Sequence, residues 1–213
     1  MNELNPKFDK LEITVAKVIS TIFHPILIPT YLYLSLIYFA SAHTLQIPAP
    51  MEWVLGVIIF ATTFVLPTTI LLLMIKFKLI SSLMLSKRIE RTGPILVAAI
   101  FLFLTYYLFD YMGFMPVFSY FLLCSSSISL VTMMINSFWK ISLHTTGYGA
   151  LLATYLSLAS FIEFPMGFIA LIIIVIGIIA SSRLKLKAHS PAEIYIGFAL
   201  GYTTMLLFFL MIL

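Results

Sequence analysis

Three short polar segments gather most of the reactive side chains of an otherwise oily chain: Ser86-Lys-Arg-Ile-Glu-Arg-Thr-Gly-Pro94, Ser142-Leu-His-Thr-Thr-Gly147 and Ser182-Arg-Leu-Lys-Leu-Lys-Ala-His-Ser-Pro-Ala-Glu193. Between them they supply the guanidinium groups of Arg88, Arg91 and Arg183, the ammonium of Lys87, the imidazoles of His144 and His189, and the carboxylate of Glu193. That inventory suits a phosphate group. Arginine forks match phosphate oxygens bidentately, and helices expected to start at 145 and 192 add free N–H groups and a favourable dipole. Two histidines beside a phosphate point to covalent phosphoryl transfer, in which one imidazole attacks phosphorus and the other protonates the leaving oxygen. Glu193 follows His189 by four residues, so its carboxylate is placed to hold one ring nitrogen and present the other. Ser190-Pro191-Ala192-Glu193 also reads as a capping box with Pro at the first helical position. The two roles of Glu193 are compatible if the cap fixes the carboxylate that orients His189.

The elements that must position these residues follow from composition. Of 213 residues, 62% are hydrophobic and 9% charged, so a water-soluble domain of this length has too few polar groups to cover its surface. A bilayer core of roughly 30 Å takes about 20 mainly apolar helical residues, with ~17 as the lower limit. Seven runs qualify: 26–42, 53–75, 95–112, 117–138, 145–162, 165–181 and 192–213. They are continuously apolar, where a membrane barrel would alternate, so the expected fold is all-α: one integral membrane domain over 1–213 with six to seven spanning helices. The least secure division is the turn at Gly113 and Pro116. Residues 1–25 contain Glu3 and Asp9 and no small-residue cleavage site, which predicts a retained N-terminus. Phe8, Leu11, Val15, Val18, Ile19 and Ile22 recur at helical spacing there. An amphipathic helix in the membrane interface should therefore lead into His24-Pro25, with the bundle filling 26–213. The single cysteine, Cys124, lies inside a run and allows no internal disulfide.

Threading the seven runs through a bilayer puts all twelve Lys and Arg on one side. Lys7, Lys10 and Lys17 precede the first run; Lys76, Lys78, Lys87, Arg88 and Arg91 lie between the second and third. Lys140 follows the fourth, and Arg183, Lys185 and Lys187 follow the sixth. The opposite loops hold His43, Glu52 and Glu163, with Asp110 close by. The positive-inside rule makes the cationic face cytoplasmic, with the N-terminus inside and the C-terminus outside, in what is expected to be a bacterial inner membrane. Part of this charge serves topology and attraction to anionic headgroups. Two crossings separate each polar segment from the next, so all three return to that face.

At these residues the chain resembles the type 2 phosphatidic acid phosphatase superfamily, which also holds bacterial acid phosphatases and vanadium haloperoxidases. Ser182-Arg183, five residues, His189, three residues, Glu193 is similar to the family's third motif, with Glu in place of Asp. Ile141-Ser142-Leu143-His144 matches part of the second, Pro-Ser-Gly-His. The first, Lys, six residues, Arg-Pro, departs most: Lys87, Arg91 and Pro94 are present, but Gly93 stands where the Arg would be. The resemblance covers 87–201. It implies His189 as nucleophile, His144 as general acid, Glu193 as orienting acid, and Arg183, Lys87, Arg88, Arg91 and Ser142 as phosphate ligands. The implied activity is removal of a phosphomonoester from a phospholipid or polyprenyl phosphate through a phosphohistidine, with no metal and no cofactor. A non-catalytic lipid-binding or transport protein on the same bundle is the alternative. Membrane lipids are the expected partners, nucleic acid is not, and self-association into a homo-oligomer is compatible with the sequence. No metal-ligand spacing, P-loop or nucleotide fingerprint is present. His24-Pro25 reads first as a kink, Trp53 and Trp139 as interface residues, and Ser125, Ser126, Ser127, Ser129 and Gly197-x-x-x-Gly201 as close-packing faces.

Overall fold

A backbone in lipid must satisfy its polar groups within the chain, which leaves continuous apolar runs only the helix. The structure, a computed structural model describing residues 6–40, 45, 47, 51–82, 88–113 and 116–213, has no strand among those residues. In order it holds α1 (Pro6–Ile22), a 3-10 turn (Pro25–Leu27), α2 (Ile28–Phe39), α3 (Glu52–Phe60), α4 (Leu66–Lys76), α5 (Thr92–Met112), α6 (Pro116–Asn136), α7 (Leu143–Leu158), α8 (Met166–Lys185) and α9 (Pro191–Ile212). Helices α3 and α4 form one rod through the π-helical turn Ala61–Val65, in which the Leu66 N–H reaches back to the Ala61 carbonyl. Pro67 follows directly; it brings no N–H and its ring crowds the carbonyl four residues earlier, a strain that the wider turn relieves.

Six segments are long and apolar enough to cross a bilayer: Lys10–Phe39, Glu52–Lys76, Ile89–Met112, Pro116–Asn136, Met166–Lys185 and Pro191–Ile212. The chain is an all-α membrane bundle. The expected span 145–162 differs. It is α7, only 16 residues, about 24 Å at 1.5 Å per residue and short of a bilayer core. Twelve of those 16 residues are buried, so α7 is the inner helix of the bundle and its length is set by its protein neighbours.

Its principal neighbour is α9, and the two run parallel. The Ser142 N–H donates to the Glu193 carbonyl at 3.3 Å, and further along Gly149 abuts the backbone at Phe198 and Tyr202. Small residues make the approach close. A Cβ on Gly197 would meet Thr145 Oγ1 at 2.8 Å and the Ser142 carbonyl oxygen at 2.9 Å, and one on Gly201 would run into the Thr146 carbonyl. This is the close packing expected of Gly197-x-x-x-Gly201. Backbone atoms cannot move aside as a flexible side chain can, so Gly201→Ala should destabilise the bundle by about 3 kcal/mol or more. Thermal unfolding followed by fluorescence-detected gel filtration would show an earlier transition; an unchanged melting profile would contradict the parallel contact. Elsewhere Ser126 Oγ donates to the Ala99 carbonyl at 2.8 Å and joins α6 to α5, whereas Ser127 and Ser129 bond within their own helix.

The two ends of the bundle are chemically distinct. Leu45, Pro116, Leu158, Ile162 and Leu213 line one apolar pocket, so the start of α6 and the ends of α7 and α9 share one end. The starts of α5, α7 and α9 therefore share the other with the ends of α6 and α8. Helix α1 lies across that second end: its Glu12 carboxylate pairs with Lys185 Nζ, and its Ser20 carbonyl meets His144. Ala16 and Ser20 face the protein, while Leu11, Val15, Val18 and Ile22 remain exposed, so the amphipathic stripe is turned away from the bundle. The side chain of Phe8, expected in that stripe, is outside the described residues.

Candidate active site

The turn between α8 and α9 fixes the distance from Arg183 to His189. Lys187 has φ of 50°, the left-handed region. Its N–H bonds the Leu184 carbonyl at 2.9 Å, and the Ala188 N–H bonds the Arg183 carbonyl at 3.1 Å. These two bonds are a Schellman motif, the compact helix stop that satisfies orphan carbonyls, and it holds the chain one residue before His189 against Arg183. Ser190 then starts α9, its hydroxyl accepting the Glu193 N–H at 3.3 Å. The Glu193 carboxylate turns to His189, with Oε2 2.6 Å from Nδ1. Both readings of Glu193 hold together: the cap fixes the helix start and the carboxylate fixes the ring. A carboxylate acceptor puts the imidazole proton on Nδ1 and leaves a lone pair on Nε2.

Ser142 caps α7 in the same manner, its hydroxyl accepting the Thr145 N–H at 3.4 Å, and it is fully buried. The Ser142 amide is joined to the Glu193 carbonyl, so of the two groups by which this residue could meet a phosphate the hydroxyl is the one left. His144, 7% exposed, donates Nε2–H to the Ser20 carbonyl at 3.0 Å, so Nδ1 is its nitrogen left to work with. The His24 ring lies edge-on to it, centroids 5.4 Å apart at 78°. Two parallel helix N-termini thus carry the two site histidines, and both dipoles favour an anion at that end.

The cations divide by depth. Arg91 is 4% exposed and its Nη1 reaches the Ile141 carbonyl at 3.3 Å, beside Ser142. Arg88 stays exposed and bonds the Phe138 carbonyl at 2.6 Å, while its own carbonyl accepts from Asn136. The sequence left open which of these arginines reaches the site, and Arg91 is the inner one. Gly93, which holds the place of the motif arginine, lets the first turn of α5 pack on Met74. Lys87 lies outside the described residues. Arg183 has a buried Nε with no hydrogen-bond partner among the described residues. A guanidinium N–H stripped of water and left unpaired is costly, so this one is suited to an added acceptor. Lys140, read from sequence as a topology signal, lies close enough to Arg91, Arg183 and Glu193 to feel all three charges, and burial with the two arginines lowers its pKa.

His189 is 8% exposed. Burial, and then the positive charges of Arg91, Arg183 and Lys140, push its pKa down to about 3 from an ordinary 6.5. The imidazole is therefore neutral at pH 7, the form a nucleophile needs. An unfolded chain takes this proton near 6.5 and the folded one resists it to about 3, so the stabilisation is complete above pH 6.5 and falls away as pH drops through that window. In nitrogen-15 spectra of detergent-solubilised protein the His189 ring should keep its neutral pattern from about pH 8 to about pH 5, a range in which an exposed histidine titrates. A midpoint near 6.5 would contradict the buried cationic setting.

Of the residues expected from sequence, Arg91, Ser142, His144, Arg183, His189 and Glu193 come to one end of the bundle, with Arg88 at its rim. Ser20 and Lys140 join them unforeseen, and His24, read first as a kink and second as a residue lining the site, comes to the same end. A backbone carbonyl leaves no trace in a sequence, but the histidine at the break between α1 and α2 was a visible signal. Among the described residues no group of three or more His, Cys, Asp or Glu is placed to hold a metal ion. The chain matches no protein-family model, no curated protein and no solved structure.

Proposed function

We propose that this chain is a membrane-embedded lipid-phosphate phosphohydrolase of the type 2 phosphatidic acid phosphatase kind, working through a phosphohistidine. The observation that carries the reading is His189, neutral, locked through Nδ1 to Glu193 at 2.6 Å, and surrounded by Arg91, Arg183 and Lys140. A structural histidine needs a partner for its ring, but gains nothing from three cations. A phosphomonoester does, because those charges neutralise its oxygens and the charge that develops in transfer.

His189 Nε2 attacks phosphorus in line, forming the N–P bond as the P–O bond to the lipid breaks. The leaving alkoxide takes a proton from Nδ1 of His144, which receives it from the phosphate monoanion on binding, while Nε2–H stays with the Ser20 carbonyl. Water then attacks phosphorus, gives its proton back to His144, and releases phosphate and free His189. Arg183 and Arg91 hold the non-bridging oxygens throughout. The acyl or prenyl tail remains in the bilayer, and its headgroup enters laterally at the cationic end. By the positive-inside rule that end faces the cytoplasm of a bacterial plasma membrane.

Purified protein in micelles, with chelator present, should release phosphate from at least one of phosphatidate, phosphatidylglycerophosphate and polyprenyl phosphate. Release from none would leave the chain a lipid-binding or transport protein, and headgroup binding that survives loss of both His144 and His189 would support that instead.

A further inference from the structure

One histidine of this end has no part in the reaction just described. His24 ends the break between α1 and α2, and its Nδ1 accepts the Ile26 N–H at 3.3 Å, capping the turn Pro25–Leu27. A nitrogen that accepts an N–H carries no proton of its own, so the neutral ring must hold its proton on Nε2. That Nε2–H has no hydrogen-bond partner among the described residues. The ring is half-buried, edge-on to His144, and near enough to Arg183 to feel its charge. A helix-capping role accounts for Nδ1 alone. It leaves an N–H donor against His144, at the end of the bundle where two helix dipoles point and near enough to Arg183 to feel its charge. The buried Arg183 Nε also has no hydrogen-bond partner among the described residues, and two such donors suit an anion.

We propose that His24 is a ligand of the phosphoryl group, donating Nε2–H to a non-bridging oxygen from the His144 side of the site. This rests on the phosphohydrolase reading for its substrate but concerns the binding of a tetrahedral oxyanion in general. It gives α1 and the break after it a second purpose: together they deliver both the carbonyl that orients His144 and a direct contact to substrate. Neutral imidazole serves here as a hydrogen-bond donor and transfers no proton.

The test is orthovanadate binding to full-length protein in micelles, by calorimetry, beside phosphate release from a lipid phosphate. His24→Phe keeps the ring's bulk and removes the donor; it should weaken vanadate about tenfold, the loss of one well-placed bond to an anion. His24→Gln restores an amide N–H near the Nε2 position and should recover most of that loss. Melting temperatures of the two variants should be alike, since both lose the Nδ1 cap. If His24→Phe binds vanadate as tightly as the wild type, His24 is a cap and the inference is overturned while the phosphatase reading stands. If the wild type binds vanadate in a His24-dependent way but turns over no lipid phosphate, the ligand role stands and the phosphatase reading falls. Loss in both variants with no recovery in Gln overturns the donor assignment. Should His24→Phe fail to fold, the wild type decides by nitrogen-15 spectra: the His24 Nε2 resonance must shift when orthophosphate is added, and a fixed resonance overturns the proposal.

Discussion

Replacing His189 with alanine should abolish phosphate release, lowering kcat by at least about 10⁴-fold while the protein still folds and binds orthovanadate. The size follows from the kind of role. A ligand adds one of several bonds to a charge that others also hold, but a nucleophile forms the bond that breaks, and nothing beside it can substitute. In this scheme His144 Nδ1 carries the proton for the leaving oxygen, and His24, whose Nδ1 accepts the Ile26 N–H, holds its proton on Nε2, so neither replaces the lost lone pair. The change costs little stability because, among the described residues, the ring's hydrogen bond is to Glu193, whose N–H keeps its place in the α9 cap. Glu193→Gln tests the same arrangement more finely: an amide holds the ring more weakly and stabilises the charged phosphohistidine less, so the rate should fall by about 10² and the intermediate should be shorter lived. If His189→Ala keeps wild-type turnover, the nucleophile lies elsewhere.

The second large effect is expected at Arg183. Loss of one preorganised donor to a developing oxyanion typically lowers kcat by about 10² to 10³, and Arg183→Ala should fall in that range. Lysine should rescue it poorly. The buried Arg183 Nε is a donor without a partner among the described residues, and an ammonium supplies charge without that N–H or the fork geometry. Kinetics of Arg183→Lys across a substrate series separate the two contributions. A loss confined to KM would mean that the residue only attracts the headgroup, and a loss in kcat that it grips the transferring group.

How far the sequence leads is clearest at particular residues. The spacing from Ser182-Arg183 to His189 and Glu193 could be read directly, and so could the Ser190 cap, a local structure with a local signal; the Schellman stop could not, because it falls on Lys187, where no Gly or Asn announces it. Convergence of the polar segments was legible as well, since an even number of crossings returns the chain to one face whatever the packing. The inner helix was not legible in length. Hydropathy scores the residues of α7 as it scores any apolar run, and cannot distinguish a side chain that meets lipid from one that meets α9. Nor could it say which of Arg88 and Arg91 turns inward, because that depends on the 3-10 turn Ile89–Arg91 placing Arg91 over the Ile141 carbonyl. The N-terminal helix was foreseen as an interfacial element, and His24 was set down as a kink. Only tertiary structure brings that break against His144, because α1 crosses the end of the bundle and carries Ser20 and His24 to it together.

The central claim is that one phosphoryl group is held in common by residues from α1, α5, α7, α8 and α9 and passes through His189. The direct measurement is rapid alkaline quench of wild-type protein turning over a lipid phosphate, followed by mass spectrometry of the peptide 182–193. A phosphoryl group on the His189 side chain, absent from His189→Ala and from protein without substrate, is the predicted result. Steady turnover with no label there, or with the label on His144, would contradict it.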